Sequence, residues 1–296
     1  MNSFETKFDP SGARGESRSS ARHPALIGAP DVLVRNETAN DASRKVLAAL
    51  DGLAARSPHL ISKSFGPFTS YGRDYILPRY VFVGPKGGGE TVRLGIFATI
   101  HGDEPEGALG LTQFATELEH SPDIAQGYAL FLYPICNPTG LEDGTRHART
   151  GKDLNREFWR ESRQPEVRYL ESEIWTHAFD GLIMLHTDNT SDGLYAFVSG
   201  AVLAENLIEP ALTATERILP RNMNALIDGF PAQRGIITDC YAGVLKSVPQ
   251  LQHPPFEITL ETPQNAPVDR QVEAFSVALK TILTEYRQLL AIAQNI

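Results

Sequence analysis

The chain has 296 residues, with 27 lysines and arginines against 36 aspartates and glutamates, a formal charge of −9, and 42% hydrophobic residues. That length can bury a sizeable core without disulfides, and the acidic balance argues against a general affinity for nucleic acid or an anionic membrane, both of which need a clustered basic surface. A small molecule or short peptide becomes the expected partner, and a homo-oligomer stays open. Two cysteines, Cys136 and Cys240, without CxxC spacing exclude a disulfide framework but not a single bridge. The chain has no apolar run of about 18 residues, and Met1–Pro24 carries Glu5, Asp9 and Glu16 in place of an apolar signal core. Neither a transmembrane helix nor a secretory signal is read, and the cytoplasm is the default compartment.

Residues 1–40 are rich in Ser, Arg, Gly, Asn and Pro, and are expected to form a flexible N-terminal arm. Val46, Leu47, Leu50 and Leu53 then have helical spacing, which predicts a helix over 41–55. Two β-type runs, Tyr75–Val83 and Thr91–Thr99, flank Gly84-Pro-Lys-Gly-Gly-Gly89, which reads as a hairpin between neighbouring strands. The glycines lack the GK[ST] ending of a phosphate loop and are taken as a turn. Helix, strand and helix follow at 104–119, 128–135 and 165–179. Strands at 181–185, 194–198 and 256–260 and a long helix at 269–292 complete the pattern. Strands alternating with helices predict an α/β fold with a mixed, mostly parallel sheet flanked by helices, in one domain over 41–296.

In open α/β sheets ligands gather beyond the carboxyl ends of the strands. His101-Gly-Asp-Glu104 follows one apolar run, Asn137-Pro138 the next, then His186, and Glu261 closes the last. A lone His-x-x-acid pair is weak, because composition alone gives about one. Here His120/Asp123 and His177/Asp180 read as solvated helix-end pairs, whereas His101/Glu104 follows a buried strand and opens a helix. With His186 as a third ligand, two histidines and one glutamate leave a fourth position open, the arrangement of a catalytic zinc ion. A structural zinc would call for four closed ligands, usually with cysteine. A buried histidine satisfied by backbone is the ordinary alternative for His186 taken alone.

Between these positions lie Asn137-Pro-Thr-Gly140 and Arg146-His-Ala-Arg149-Thr-Gly-Lys-Asp153-Leu-Asn155-Arg156-Glu-Phe158. The ordered set HGDE, NPTG, an arginine nine before an asparagine, DLNREF, LHTD and ITLET resembles the zinc metallocarboxypeptidase superfamily, most closely its succinylglutamate desuccinylase/aspartoacylase-like branch. The resemblance implies one Zn2+ on His101, Glu104 and His186, with Asp153 orienting the first ligand from behind. It makes Glu261 the general base, Arg146 the group that polarises the scissile carbonyl, and Asn155 with Arg156 the grip on a substrate carboxylate. Arg149 is the alternative to Arg146 should the loop be shifted. Tyr241, twenty residues before Glu261, resembles in position the mobile tyrosine of the carboxypeptidases. Asp188, Asp192 and Tyr195 read either as pocket residues or as parts of a polar turn.

The activity so implied is zinc-dependent hydrolysis of an amide bond next to a free carboxylate, in an N-acyl amino acid or a short peptide. The 82 positions between Glu104 and His186 are compact, which favours the deacylase side. The long terminal helix, in place of the β-rich domain those enzymes usually append, keeps a small peptidase open. The contrasting function, a metal- or carboxylate-binding protein without turnover, would show as loss of Glu261 or Arg146, and neither is missing.

Overall fold

The computed structural model describes residues 41–249 and 251–293; the arm read over 1–40 lies outside the described residues. Helix α1 (Asp41–Ala54) leads to β1 (Leu60–Ser62), β2 (Phe65–Ser70), β3 (Arg73–Leu77), β4 (Tyr80–Val83), β5 (Val92–Ala98) and α2 (Glu106–His120). Then come β6 (Tyr128–Tyr133), α3 (Pro138–Asp143), α4 (Pro165–His177), β7 (Gly181–Asp188) and β8 (Tyr195–Val198). Helix α5 (Ala201–Leu203), a π-helical turn (Ala204–Ile208) and α6 (Glu209–Thr215) precede the two-residue strands β9 (Leu226–Ile227), β10 (Phe230–Pro231) and β11 (Ile236–Ile237). Strand β12 (Phe256–Pro263) and helix α7 (Val268–Ala293) end the described chain.

Eight strands form one sheet in the order β1-β4-β6-β5-β7-β12-β8-β11. Strands β6, β5, β7 and β12 run parallel to one another, while β4 and β8 join them antiparallel. The central strand β7 is buried over its first seven residues, because helices cover both faces of the sheet. Alternation along the strands sorts the side chains. Leu94 and Ile96 of β5 with Ile183 and Leu185 of β7 join a core with Leu111 and Phe114 of α2 and Phe275 and Leu279 of α7. Phe97, Leu182 and Met184 belong instead to the core containing Val167, Leu170 and Ile174 of α4.

This is the mixed, mostly parallel α/β sheet expected from the alternation of strand and helix signals. One expected pairing is corrected: β4 and β5 are not a hairpin, since β6 lies between them and pairs with both. The glycine-rich connection docks on the turn before β6 instead. Gly84 N–H donates to Tyr128 O at 3.0 Å, Gly127 N–H donates to Pro85 O at 2.8 Å, and a Cβ on Gly84 would fall 1.8 Å from Ala125 O. The run Tyr75–Val83 also divides at Pro78-Arg79, because β3 pairs with β2 in a separate hairpin and β4 joins the main sheet. Arg79 is buried there, with Nη1 2.5 Å from Glu173 Oε2 and 3.1 Å from His177 Nε2. His177 is therefore a packed residue, its ring 4.4 Å from that of Phe131, and not a solvated partner of Asp180. Cys136 is buried, Cys240 is exposed, and both are free thiols. Among the described residues no helix is long and apolar enough to cross a membrane.

Candidate metal centre and cavity

The carboxyl ends of β5, β6, β7 and β12 deliver the polar residues to one place. Beyond β5 the backbone turns sharply at Thr99, whose φ of 52° is unusual for a β-branched residue and costs about 1–3 kcal/mol. The turn is held by Asn137, whose N–H donates to Thr99 O at 2.9 Å and whose Nδ2 donates to Ile100 O at 3.2 Å and Arg146 O at 3.4 Å. Asn137 Oδ1 also caps α3 by accepting from Gly140 N–H at 2.8 Å. Gly102 is needed beside this cap, because a Cβ would fall 2.0 Å from the Gly140 carbonyl carbon. These contacts set His101 and Glu104 on one side of α3 and carry the Arg146 loop up to them.

Glu104 lies at the centre. Its Oε1 is 2.6 Å from His101 Nδ1 and its Oε2 is 3.0 Å from His186 Nδ1; Thr187 N–H donates to Oε2 at 3.1 Å. All three residues are buried, and one ligand atom from each lies within 4.8 Å of the others. Two imidazoles and one carboxylate converging in this way form a donor set suited to a divalent ion. The remaining ring nitrogen supports the fit: His101 Nε2 is buried without a hydrogen bond and stands 3.3 Å from Asp153 Oδ1, where a carboxylate can orient a ligating imidazole.

Electrostatics follow from the same geometry. Burial opposes ionisation of Glu104, but the His186 and His101 side chains outweigh it and hold the carboxyl well below its ordinary value. Burial likewise opposes ionisation of Asp153, and His101, Arg146 and Arg156 reverse the balance and hold it low. His101 is raised: burial pulls its pKa down, while Asp153 and Glu104 together pull it further up. His186 is lowered, because burial exceeds the pull of Glu104. Glu261 is pushed well above the usual carboxylate range by burial and then by Glu104, Asp188 and Asp228, with Arg146 opposing.

A cavity of about 300 Å³ opens over the cluster. Glu261 lines it, opposite His186 in the pairing of β12 with β7. Arg146 lines it too, with Nη1 3.4 Å from Glu104 Oε1 and Nε 3.5 Å from Asp153 Oδ2. Asn155 is buried, its Oδ1 accepting from Leu245 N–H at 2.8 Å and its Nδ2 3.5 Å from His186 Nε2. Arg156 is fixed by donation from Nη1 to Asn155 O at 2.8 Å, and its guanidinium carbon lies 4.4 Å from the centre of the Tyr241 ring. The Tyr241 hydroxyl in turn donates to Asp228 O at 2.9 Å.

The structure thus brings His101, Glu104, His186, Arg146, Asn155, Arg156, Tyr241 and Glu261 to one cavity, with Asp153 behind His101. Arg149 is the exception and corrects the alternative left open for the loop. Its guanidinium is turned away into a network with Asp143, Glu142 and the Tyr75 hydroxyl, at 2.5 to 2.9 Å, and does not line the cavity. Asp188 and Tyr195 do line it, the Tyr195 hydroxyl donating to Asp188 Oδ2 at 2.9 Å, whereas Asp192 is exposed outside it. Asp228 is a lining residue that the sequence did not single out. It sits with Gly229 at the tip of the β9–β10 hairpin, both at positive φ, so its only sequence signal is the Asp-Gly turn dipeptide.

The fold is that of the zinc carboxypeptidase-like α/β domains, and its buried His-Glu-His cluster is compatible with a catalytic metal site. Comparison with known proteins agrees. Residues 90–208 match the succinylglutamate desuccinylase/aspartoacylase catalytic domain. Solved structures with the same fold include a metallopeptidase of Shewanella baltica OS155 described as putative, 23% identical over 81% of this chain and 90% of that one, with a TM-score of 0.67. A counterpart from Shewanella amazonensis SB2B is 22% identical over 81% and 92% of the two chains, with a TM-score of 0.69. A metallo-carboxypeptidase of Burkholderia cenocepacia is 17% identical over 82% and 68%, with a TM-score of 0.64. No curated protein matches the chain. The catalytic-domain match and the shared fold support assignment to the zinc metallocarboxypeptidase superfamily read from the motifs.

Proposed function

We propose that the protein is a zinc-dependent hydrolase that cleaves an amide bond next to a free carboxylate. The observation that carries this reading is the shared cavity: a buried three-ligand cluster, a carboxylate one strand away and an anchored arginine all face the same space. His101, Glu104 and His186 would hold the ion, which when bound acts as a Lewis acid and brings the pKa of water toward about 7.

The chain's own groups then divide the work. Glu261 accepts a proton from the attacking water and returns it to the departing nitrogen; its crowding by other carboxylates favours holding that proton between the two transfers. Arg146 donates hydrogen bonds to the carbonyl oxygen as negative charge develops there, a role supported by its place beside Glu104 and Asp153. Arg156 binds the substrate carboxylate through its planar guanidinium, with Asn155 beside it, and the Tyr241 ring keeps that guanidinium in place. Asp153 fixes the His101 ring. Substrates of this chemistry are N-acyl amino acids or short peptides, and a cytoplasmic location is part of the same proposal.

The test is an assay of amino acid release from a small panel of N-acyl amino acids and dipeptides, with and without chelator. Release that stops on chelation and returns with zinc is expected. Stoichiometric metal binding with no release from any panel member would favour a binding protein without turnover.

A further inference from the structure

The strand register divides the floor of the cavity into two rows. His186, Glu261 and Tyr195 stand side by side in one row; two residues earlier on β7 and β12, Met184 pairs with Thr259, which pairs on its other side with Phe197. Side chains two apart on a strand share a face, and all six residues line the cavity. The Met184 row therefore forms a compartment one step inward from the Glu261 row. Val244 and Leu245 wall it, and the Leu245 N–H bound to Asn155 Oδ1 ties that wall to the Asn155-Arg156 pair.

None of these five compartment residues carries a charge. Among the described residues lining the cavity, Arg146 and Arg156 are the only arginines, and no lysine lines it. Both arginines already have a role in the proposed reaction. The acidic lining residue Asp188 lies on the opposite side of His186 from Met184 along β7, so it faces away from the compartment's end of the row. A second carboxylate on the substrate would be buried here without a cation, and an ammonium without an anion; either is costly in a closed apolar site.

We infer that this compartment receives the side chain of the amino acid whose carboxylate Arg156 holds, and that this side chain is uncharged and apolar, of the leucine, methionine or phenylalanine kind. The inference rests on the hydrolase reading above. It sets this chain apart from the aspartate and glutamate derivatives that appear in the name of the matched catalytic domain.

The experiment is isothermal titration of the zinc-reconstituted full chain with Nα-acetyl-L-leucine, Nα-acetyl-L-methionine, Nα-acetyl-L-glutamate and Nα-acetyl-L-lysine. The leucine and methionine compounds are expected to bind more than about tenfold tighter than the other two, since a buried unpaired charge discriminates strongly. The variant Thr259→Lys places a cation in the compartment and is expected to shift the glutamate-to-leucine ratio by about tenfold toward glutamate; should it not fold, the wild-type panel alone decides. Glutamate or lysine compounds binding as tightly as leucine would overturn the inference, as would no binding by any of the four. Failure of the hydrolase reading would be seen separately, as the absence of chelator-sensitive amino acid release.

Discussion

Glu261 and His186 are direct neighbours across the parallel pairing of β12 with β7. Neither strand is next to the other in sequence, yet the register puts a candidate base beside a candidate ligand on the same face of the sheet. That face is the cavity floor, and the neighbouring β5 ends in the turn that presents His101 and Glu104. The arrangement is thus a property of the sheet and not of any one loop.

Removing the base without disturbing its strand separates proton transfer from metal binding. Glu261→Gln keeps the size of the side chain and is expected to retain the ion while turnover falls by about 10²–10⁴-fold. Metal content and amino acid release measured on the same preparation check it; undiminished release would refute the assigned role.

Asp153 touches the cluster only through His101, 3.3 Å from its Nε2. Asp153→Asn should weaken metal affinity by about 10–100-fold while leaving the ligands in place. Competition with a chelator of known affinity gives the number, and an unchanged affinity would show that Asp153 does not orient the ligand.

The two arginines of the 144–150 loop should part cleanly. Arg146→Ala is expected to reduce turnover with little change in melting temperature, because its side chain is partly exposed and reaches the cluster. Arg149→Ala breaks contacts to Asp143, Glu142 and Tyr75, and is expected to lower the melting temperature while turnover per folded molecule is kept. Melting curves and initial rates for both variants check the division.

The Arg79–Glu173 pair, remote from the cavity, should make stability depend on acid. Burial pushes the Glu173 carboxyl up, but His177 and Arg79 outweigh it, so its pKa in the fold lies below the ordinary 4.5. Stabilisation from a lowered carboxyl is complete above that ordinary value and is lost as pH falls through the lowered one. The melting temperature is therefore expected to fall on acidification below 4.5, with a shallower slope for Glu173→Gln. Glu173→Ala leaves Arg79 buried without this partner and is expected to cost about 3–5 kcal/mol.

The sequence made the sheet class and the conserved order of strand-end polar residues legible because each signal is local. An apolar run followed by His101, Asn137, His186 or Glu261 marks a strand end whatever the neighbouring strand is. What stayed hidden depends on pairing. The insertion of β6 between β4 and β5 reverses the hairpin reading of Gly84–Gly89, and nothing in those glycines records that they meet Ala125 and Gly127. The short strands β1, β9, β10 and β11 carry two or three residues each, too few to show a period. In the site, the spacing to Asn155 favoured Arg146 over Arg149, but the acidic partners that draw Arg149 away lie on α3 and only the fold brings Tyr75 to it. Thr259 and Phe197 could not be placed in the cavity before the register of β12 with β7 and β8 was known.

The most direct measurement is calorimetric titration of zinc into the chelator-stripped full chain, repeated for His101→Ala, Glu104→Gln and His186→Ala, with amino acid release followed in parallel. One equivalent of zinc should bind the wild-type chain and restore release, and each substitution should sharply weaken binding and abolish release. Full-affinity binding in the three variants, or release that continues in the stripped protein, would contradict the assignment of this cluster as the catalytic metal site.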